Sequence, residues 1–435
     1  MRTKHEINSV EWFGGTPNGW SMVPLSALFR FSKGLSITKA DLTESGKAVI
    51  SYGQIHSKEN IGVETNESLL RYVSSDLVGI NSASKVLPDG FVFADTSEDL
   101  EGCGSNVRNG STGELYGGYH TVVLNPKNDL DSKYLAYLFA TDVWRYQIRR
   151  DLVDVKLFSV SQTSLNETYV VLPPENTQKR IVSYLDGRCA AVDDDIAKRR
   201  EAIEKLKEYK RAYISCVISE QSNRLRKTPH QSKSTLKHIA SRIWDGPFGS
   251  HLKSADYIDR GVRVIRLENL RYMQFNDEKT SYVSQSKYES IKRHTVRPGD
   301  LIISTFISDE VKVAMLPDGI EFAVNKADCI GITPCKGIYN RYLQYALSTH
   351  DVFNQLKSMV HGSTRDRVNC NQIKAIKLPV PSEKAQVEIV KELDFCCAAI
   401  DEAIARQEQL IEKLGEYRKS IIHHAVTGKI DCMGA

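Results

Sequence analysis

Chemistry needs particular residue types at particular spacings, and the chain offers several partial sets of them. Methyl transfer to adenine would require an Asn/Asp-Pro-Pro-aromatic motif and a glycine-rich loop for the methyl donor, and neither occurs. The one Pro-Pro pair lies in Leu172-Pro173-Pro174-Glu175, which reads as a joint between a strand and a helix. A glycine-rich phosphate loop ending in Gly-Lys-Ser/Thr is also missing, which argues against ATP hydrolysis by this chain. Pro88-Asp89 with Asp154-Val155-Lys156 could suggest a nuclease, but the related turn Pro298-Gly299-Asp300 makes these residues turn formers instead. His423 and His424 are neighbours on a helix and cannot face one metal ion, and Asp193-Asp194-Asp195 would point three ways from a helix. Nine cysteines, without a CxxC pair and with Cys396 beside Cys397, suggest reduced structural thiols rather than disulfides or zinc ligands. The expectation is a chain with no catalytic residues, no metal site and no cofactor of its own.

The elements that would position any site show a repeat. Shifting the chain by 208 residues lays 178–217 on 386–425 without a gap, with 18 identities in 40 positions. The run Ile203-Glu204-Lys205-Leu206 meets Ile411-Glu412-Lys413-Leu414, and Tyr134, Tyr137 and Pro173 meet Tyr342, Tyr345 and Pro381. A shift of 210 places Pro88-Asp89-Gly90-Phe91 on Pro298-Gly299-Asp300-Leu301, a tight turn entering a buried strand. The matched stretches are helical. Cys189, Val192, Ile196, Ile203, Leu206, Tyr213 and Val217 form a heptad-like stripe, and Cys397, Ile400, Ile404, Ile411, Leu414, Ile421 and Ala425 repeat it. Each stripe predicts a helix of about 30 residues or more, the second stopping near Gly428.

Residues 178–217 hold ten Lys/Arg and seven Asp/Glu, whereas 386–425 hold five and eight, so the two helices carry opposite net charge. Matching stripes and opposite charge predict an antiparallel pair; the alternative is that each helix packs only on its own globular part. Those parts, 20–172 and 236–380, carry short β-type runs such as 48–52, 91–93, 120–124, 262–265, 301–303 and 329–332. One helix follows in each, near Lys133–Arg149 and Asn340–Lys357. The expected class is α+β: two globular α/β units separated by an antiparallel pair of long helices, a pseudo-twofold internal repeat.

With 435 residues, 41% hydrophobic and 26% charged, the chain can bury more than one core. It has no apolar run of membrane-spanning length and starts polar over Met1–Val10, which predicts a cytoplasmic protein with no membrane contact. The formal charge of +4 conceals a split: 14 Lys/Arg against 19 Asp/Glu in 20–177, but 22 against 16 in 236–385, with four basic residues and no acid in 221–235. A basic second half favours a phosphate backbone as partner. Contact by the acidic first half would depend on a local face.

The segments Leu172-Pro-Pro-Glu-Asn-Thr-Gln178-Lys-Arg-Ile181 and Leu378-Pro-Val-Pro-Ser-Glu-Lys-Ala-Gln386-Val-Glu-Ile389 resemble the signature of the S (specificity) subunit of Type I restriction-modification enzymes. Each precedes a long helix with a Tyr-Lys/Arg pair, Tyr209-Lys210 and Tyr417-Arg418, and Phe93-Ala-Asp95-Thr96-Ser-Glu98-Asp99 resembles a motif of one class of that family's target-recognition domains. The resemblance spans nearly the whole chain. It implies a non-catalytic DNA-recognition subunit whose two variable domains each read half of a split target in double-stranded DNA. It also implies a helical spacer that docks two methyltransferase (modification) subunits, with restriction subunits completing the complex. S-adenosylmethionine, ATP and Mg would then belong to the partner subunits.

On that reading the order is a tail over 1–19, a first target-recognition domain over 20–174, a first spacer helix over 175–220 and a basic linker over 221–235. A second target-recognition domain over 236–381, a second spacer helix over 382–428 and a tail over 429–435 follow. Candidate DNA contacts are Lys33, Lys39, Gln54, Arg71, Lys85 and Arg108 in the first domain, with Lys253, Arg263, Arg266, Asn269, Arg271, Arg293, Lys312, Arg365 and Arg367 in the second. The loop His361-Gly-Ser-Thr-Arg365-Asp-Arg367 is the strongest single segment. Candidate spacer and partner positions are Ile181, Leu185, Ile196, Ile203, Leu206, Tyr209, Ile389, Leu393, Ile404, Ile411, Leu414 and Tyr417. The competing readings are a single-chain DNA methyltransferase or nuclease with an unrecognised site, and a protein-binding adaptor.

Overall fold

A proline followed five residues later by a glutamine starts each long helix. Gln178 Nε2 donates to Pro173 O at 2.8 Å, and Gln386 Nε2 donates to Pro381 O at 3.0 Å, so each amide clips the first turn to the chain entering it. The helices run over Glu175–Arg226 and Glu383–Val426, each with a glutamate in its first turn to complement the helix dipole. At 52 and 44 residues they agree with the expected 30 or more, since no proline interrupts either and only the tolerated Gly187 and Gly415 fall inside them. The second ends where expected: Gly428 takes φ +68° and its N–H donates to Ala425 O.

This computed structural model describes residues 13, 15–79, 83–110, 113–150, 152, 158–226, 233–249, 251–360, 367–430 and 432. The chain divides into two units, Met1–Ala197 with Leu410–Ala435, and Lys198–Gln409. Each contains sheets and helices, in agreement with the expected α+β class.

In the first unit an antiparallel sheet orders Phe29–Lys33, Thr121–Pro126, Phe91–Ala94 and Asn106–Arg108. A five-stranded sheet orders Leu42–Thr43, Arg71–Val73, Lys47–Ile50, Leu115–Gly117 and Lys85–Val86, with one parallel pairing between Lys47–Ile50 and Leu115–Gly117. The second unit repeats both. Its four strands are Ala240–Asp245, Cys329–Pro334, Leu301–Ser304 and Val313–Met315. Its five are Tyr257–Ile258, Tyr282–Val283, Val262–Ile265, Ala323–Asn325 and Thr295–Val296, with Val262–Ile265 parallel to Ala323–Asn325.

The single helix expected after these strands is two in each unit: Lys133–Phe139 and Asp142–Arg149, then Asn340–Leu347 and His350–Met359. A threonine makes the break both times. Thr141 Oγ1 donates to Leu138 O and accepts from Trp144 N; Thr349 Oγ1 donates to Ala346 O and accepts from Val352 N. The hydroxyl closes one helix and caps the next.

The core of the first unit joins Ile181, Leu185 and Cys189 of the first long helix to Ile421, Ile422, Ala425 and Val426 of the second, around Phe91, Phe93, Phe139 and Trp144. In the second unit Ile214, Val217 and Ile218 meet Ile389, Val390, Leu393 and Cys397 around Leu301, Tyr342 and Leu347. Each unit therefore takes a segment from both helices, which rules out helices that pack only on their own globular part. Within the second unit the segments run antiparallel, since Arg199, Lys210 and Tyr213 bond Gln407, Asp401 and Glu392 in that order. In the first, Arg418 pairs with Asp193 at 3.1 Å. The opposite helix charges thus meet as ion pairs.

Each helix is also tied to its globular part by one aspartate. Asp186 accepts from Tyr137 Oη at 2.7 Å and Lys133 Nζ at 2.8 Å; Asp394 accepts from Tyr345 Oη at 2.6 Å and Arg341 Nη2 at 2.8 Å. Among the spacer candidates, Ile181, Leu185, Ile203, Ile389 and Leu393 are buried, while Ile196, Leu206, Ile404, Ile411 and Leu414 are half-buried. Tyr209 and Tyr417 are exposed at 59% and 52%. Leu393→Ala should lower stability by about 2–5 kcal/mol through the cavity it leaves, measured as a shift in urea midpoint at unchanged slope.

Candidate nucleic-acid interface

The parallel strand pair in each five-stranded sheet has both carboxyl ends on one side, and loops gather there. In the first unit Tyr52 N donates to Tyr119 O, Gly118 N to Ile50 O, Leu35 N to Gly117 O, and Asp95 N to His120 O. Val160 N donates to Asp95 O, which brings the chain leaving Phe158–Ser159 to the same place. The second unit builds the same cluster: Lys326 N donates to Ile265 O, Thr305 N to Asp328 O, and Val368 N to Thr305 O. A glycine permits the approach in each. A Cβ on Gly34 would sit 2.0 Å from Gly118 O, and one on Gly246 2.1 Å from the Lys326 carbonyl carbon.

The side chains at this cluster differ between the units. The first presents rings: Tyr52 lies 5.5 Å from His120, 5.6 Å from Tyr119 and 6.4 Å from His56. His120 holds φ +54°, a left-handed conformation rare for a residue other than glycine. The second presents cations. Arg367 sits over the Phe306 ring at 5.4 Å and pairs with Asp328 at 3.1 Å, Arg266 lies over Tyr257 at 5.6 Å, and Phe248 is exposed in the loop after Gly246.

Of the residues chosen from sequence, Lys33, Gln54, Arg266, Asn269, Arg271 and Arg367 lie on these loops or at their ends. Two of them serve the backbone. Gln54 Oε1 accepts from Ser51 N, and Asn269 Oδ1 accepts from Arg266 N, closing equivalent capping boxes after the central strands. Asn269 is 1% exposed with its amide nitrogen donating to Asn276 O and Lys279 O, so it has no free edge for adenine.

Arg108 and Arg263 are corrections of a different kind, since they are 7% and 6% exposed. Arg108 bonds Asp89 and Glu64, and Arg263 bonds Asp277 and lies over Tyr282 at 5.5 Å; both guanidiniums face into their units. Lys39, Arg71, Lys253 and Arg293 are exposed, with Arg71 opposite Val49 and Arg293 beside His294, whose Nδ1 lies 2.6 Å from Asp245 O; Lys85 pairs with Glu114, and Lys312 is half-buried. Arg365, with residues 361–366, and the Asp154-Val155-Lys156 segment lie outside the described residues. Sequence reasoning passed over Tyr52, His56, Tyr119, His120, Phe248 and Phe306, whose signal was aromatic residues, all but Phe306 within three positions of a glycine, rather than charge.

Among the described residues no three His, Cys, Asp or Glu side chains group as metal ligands. No described helix is long and apolar enough to cross a membrane. Asp89 is the best-defined ionisable group near Arg108: burial raises its affinity for a proton, but the Ser132 amide, the Arg108 guanidinium and the Ser132 hydroxyl outweigh this and hold it below the usual carboxylate range. Its left-handed backbone, φ +62°, matches Gly299 at φ +84° in the second unit.

Residues 17–205 and 272–413 match the family model described as the Type I restriction modification DNA specificity domain. The chain is 20% identical over 428 residues to the Type I restriction enzyme EcoKI specificity subunit of Escherichia coli, covering 96% of this chain and 90% of that one. It is 27% identical over 172 residues to the putative type I restriction enzyme MjaX specificity subunit of Methanocaldococcus jannaschii, 38% and 39% of the two chains. A solved chain reported under "Structural basis underlying complex assembly and conformational transition of the type I R-M system" shares the fold, with TM-score 0.62 and 16% identity over 96% of this chain and 100% of that one.

Arg108→Met should destabilise the first unit by about 2–3 kcal/mol, because Asp89 would lose its cation while staying half-buried. A depressed carboxylate adds stability that is complete above its unfolded pKa, about 4, and is lost as pH falls through the folded value. The wild-type urea midpoint should therefore drop more steeply below pH 4 than that of the variant.

Proposed function

The chain belongs to the Type I restriction-modification DNA specificity family, and from that membership we propose how its parts divide the work of recognition. It is the DNA-recognition subunit, non-catalytic in itself. Each sheet-and-loop unit reads one half of a split target in double-stranded DNA. The observation that carries this is the repeated loop cluster at the carboxyl ends of the parallel strands, built on one backbone pattern but carrying rings in one unit and cations in the other. A reader must keep its geometry while its base contacts change.

The long helices hold two matched exposed positions, Tyr209 and Tyr417, 208 residues apart in sequence. We infer that these faces receive two methyltransferase subunits, one for each repeat, through which restriction subunits join. S-adenosylmethionine, ATP and Mg would be held by those partners. A duplicated chain offers equivalent surfaces to two copies of one partner, and a methyltransferase that flips its target base needs a fixed position over it.

Replacing residues 20–172 with those of a relative should change one half of the methylated sequence, read by mapping N6-methyladenine in cells carrying the full system. Inserting one heptad in both helices should change only the gap between halves; altered halves would refute the spacer role. Tyr209→Ala with Tyr417→Ala should leave the urea midpoint within about 0.5 kcal/mol and weaken co-purification with the methyltransferase subunit. Unchanged assembly would place the docking face elsewhere.

A further inference from the structure

The first unit is acidic, with 14 Lys/Arg against 19 Asp/Glu over 20–177, so its net charge does not draw it to a polyanion. Its loop cluster shows what takes the place of charge. Tyr52 is the centre of a ring group, with His120, Tyr119 and His56 around it at 5.5–6.4 Å and edge-on geometries. The His120 side chain is 57% exposed and His56 is also exposed, with its Nε2 2.9 Å from Thr96 O and its other ring nitrogen left for a ligand, whereas Tyr52 and Tyr119 are half-buried. The arrangement is costly to hold. His120 keeps a left-handed backbone of the kind that persists where the surroundings enforce it.

Asp95 adds a second, independent sign. Its Oδ1 lies 3.3 Å from His120 Nδ1, yet the enclosed oxygen accepts no hydrogen bond of good geometry. That oxygen is closed to solvent and an unpartnered acceptor there is unusual, while the side chain as a whole stays 35% exposed, so a donor would meet the carboxylate on its open side. Glu98 and Asp99 follow it and are exposed, which disfavours a phosphate at this place. The amino groups of cytosine and adenine, presented in the major groove, are donors that a carboxylate accepts from, and the thymine methyl suits an aromatic face.

We propose that Tyr52, His56, Tyr119 and His120, with Asp95, form the base-reading contact of the first unit, taking base edges of the duplex and not its phosphates. This rests on the reading of the chain as a DNA specificity subunit. The second unit differs at the same fold position: Asp328 stands 208 residues after His120, Thr305 stands 210 after Asp95, and Arg367 supplies a permanent charge. The two halves of one target are thus recognised by different chemistry, weakly ionic in the first and cationic in the second.

The test selects duplexes from a pool randomised over 30 base pairs, using the full chain assembled with its methyltransferase subunits, and sequences the bound fraction. Wild type should yield a two-part consensus; no consensus at all would sink the DNA-recognition reading itself. His120→Asn, which tolerates the left-handed backbone, and Tyr52→Leu are each expected to erase the consensus in one half and keep it in the other. Affinity for the wild-type consensus should fall about tenfold or more, while the slope of log K against log salt stays unchanged, because no phosphate contact is lost. Thermal unfolding of both variants guards against a misfolded one, and either variant suffices. Retention of both halves, or a slope reduced by about one, would overturn the proposal while leaving the DNA-recognition reading intact.

Discussion

Neither unit can close its core with one long helix alone. Ile181, Leu185 and Cys189 leave an apolar side that Ile421, Ile422, Ala425 and Val426 cover, and Ile389, Leu393 and Cys397 do the same with Ile214, Val217 and Ile218. Burial of these side chains is the dominant favourable term available to the units, at roughly 1.5–3 kcal/mol for each fully buried large apolar residue. The ion pairs Asp193–Arg418 and Lys210–Asp401 select the pairing more than they stabilise it, since their carboxylates are half-exposed. Everything else hangs on this exchange: the aspartate ties to Tyr137 and Tyr345 orient each globular part on its helices, and the loop cluster is fixed in turn by the sheets of that part.

The repeat was legible because the helices are under identical packing demands in both halves. Gln178 and Gln386 recur since each must bond the proline carbonyl five residues earlier, and Asp186 and Asp394 recur since each must accept from a tyrosine and a cation. Strands were legible from their apolar runs. The split of Lys133–Arg149 into two helices was not, because Thr141 breaks the helix through a hydroxyl that leaves the apolar period intact.

Site residues were harder to read from type alone. Gln54 and Asn269 are the residue types that recognise adenine, but the same amide closes a capping box, and sequence does not separate the two uses. Arg108 and Arg263 look like surface cations until their carboxylate partners, 19 and 14 residues away in the chain, are seen to enclose them. The opposite error concerns the first unit, where a search for positive charge passed over Tyr52, Tyr119 and His120. Their meeting depends on the turn at Gly118 lying against Ile50, which is a matter of strand pairing.

The shared cores have a consequence for biosynthesis. Ile421 follows Ile181 by 240 residues, so during translation the first unit waits, with the apolar side of its helix uncovered, until residues 421–426 leave the ribosome. The second unit, whose residues 198–409 are contiguous, completes earlier although it is made later. The nascent chain therefore matures from its middle outward, and the interval before the last helix turn emerges is when it most needs chaperone shelter against aggregation.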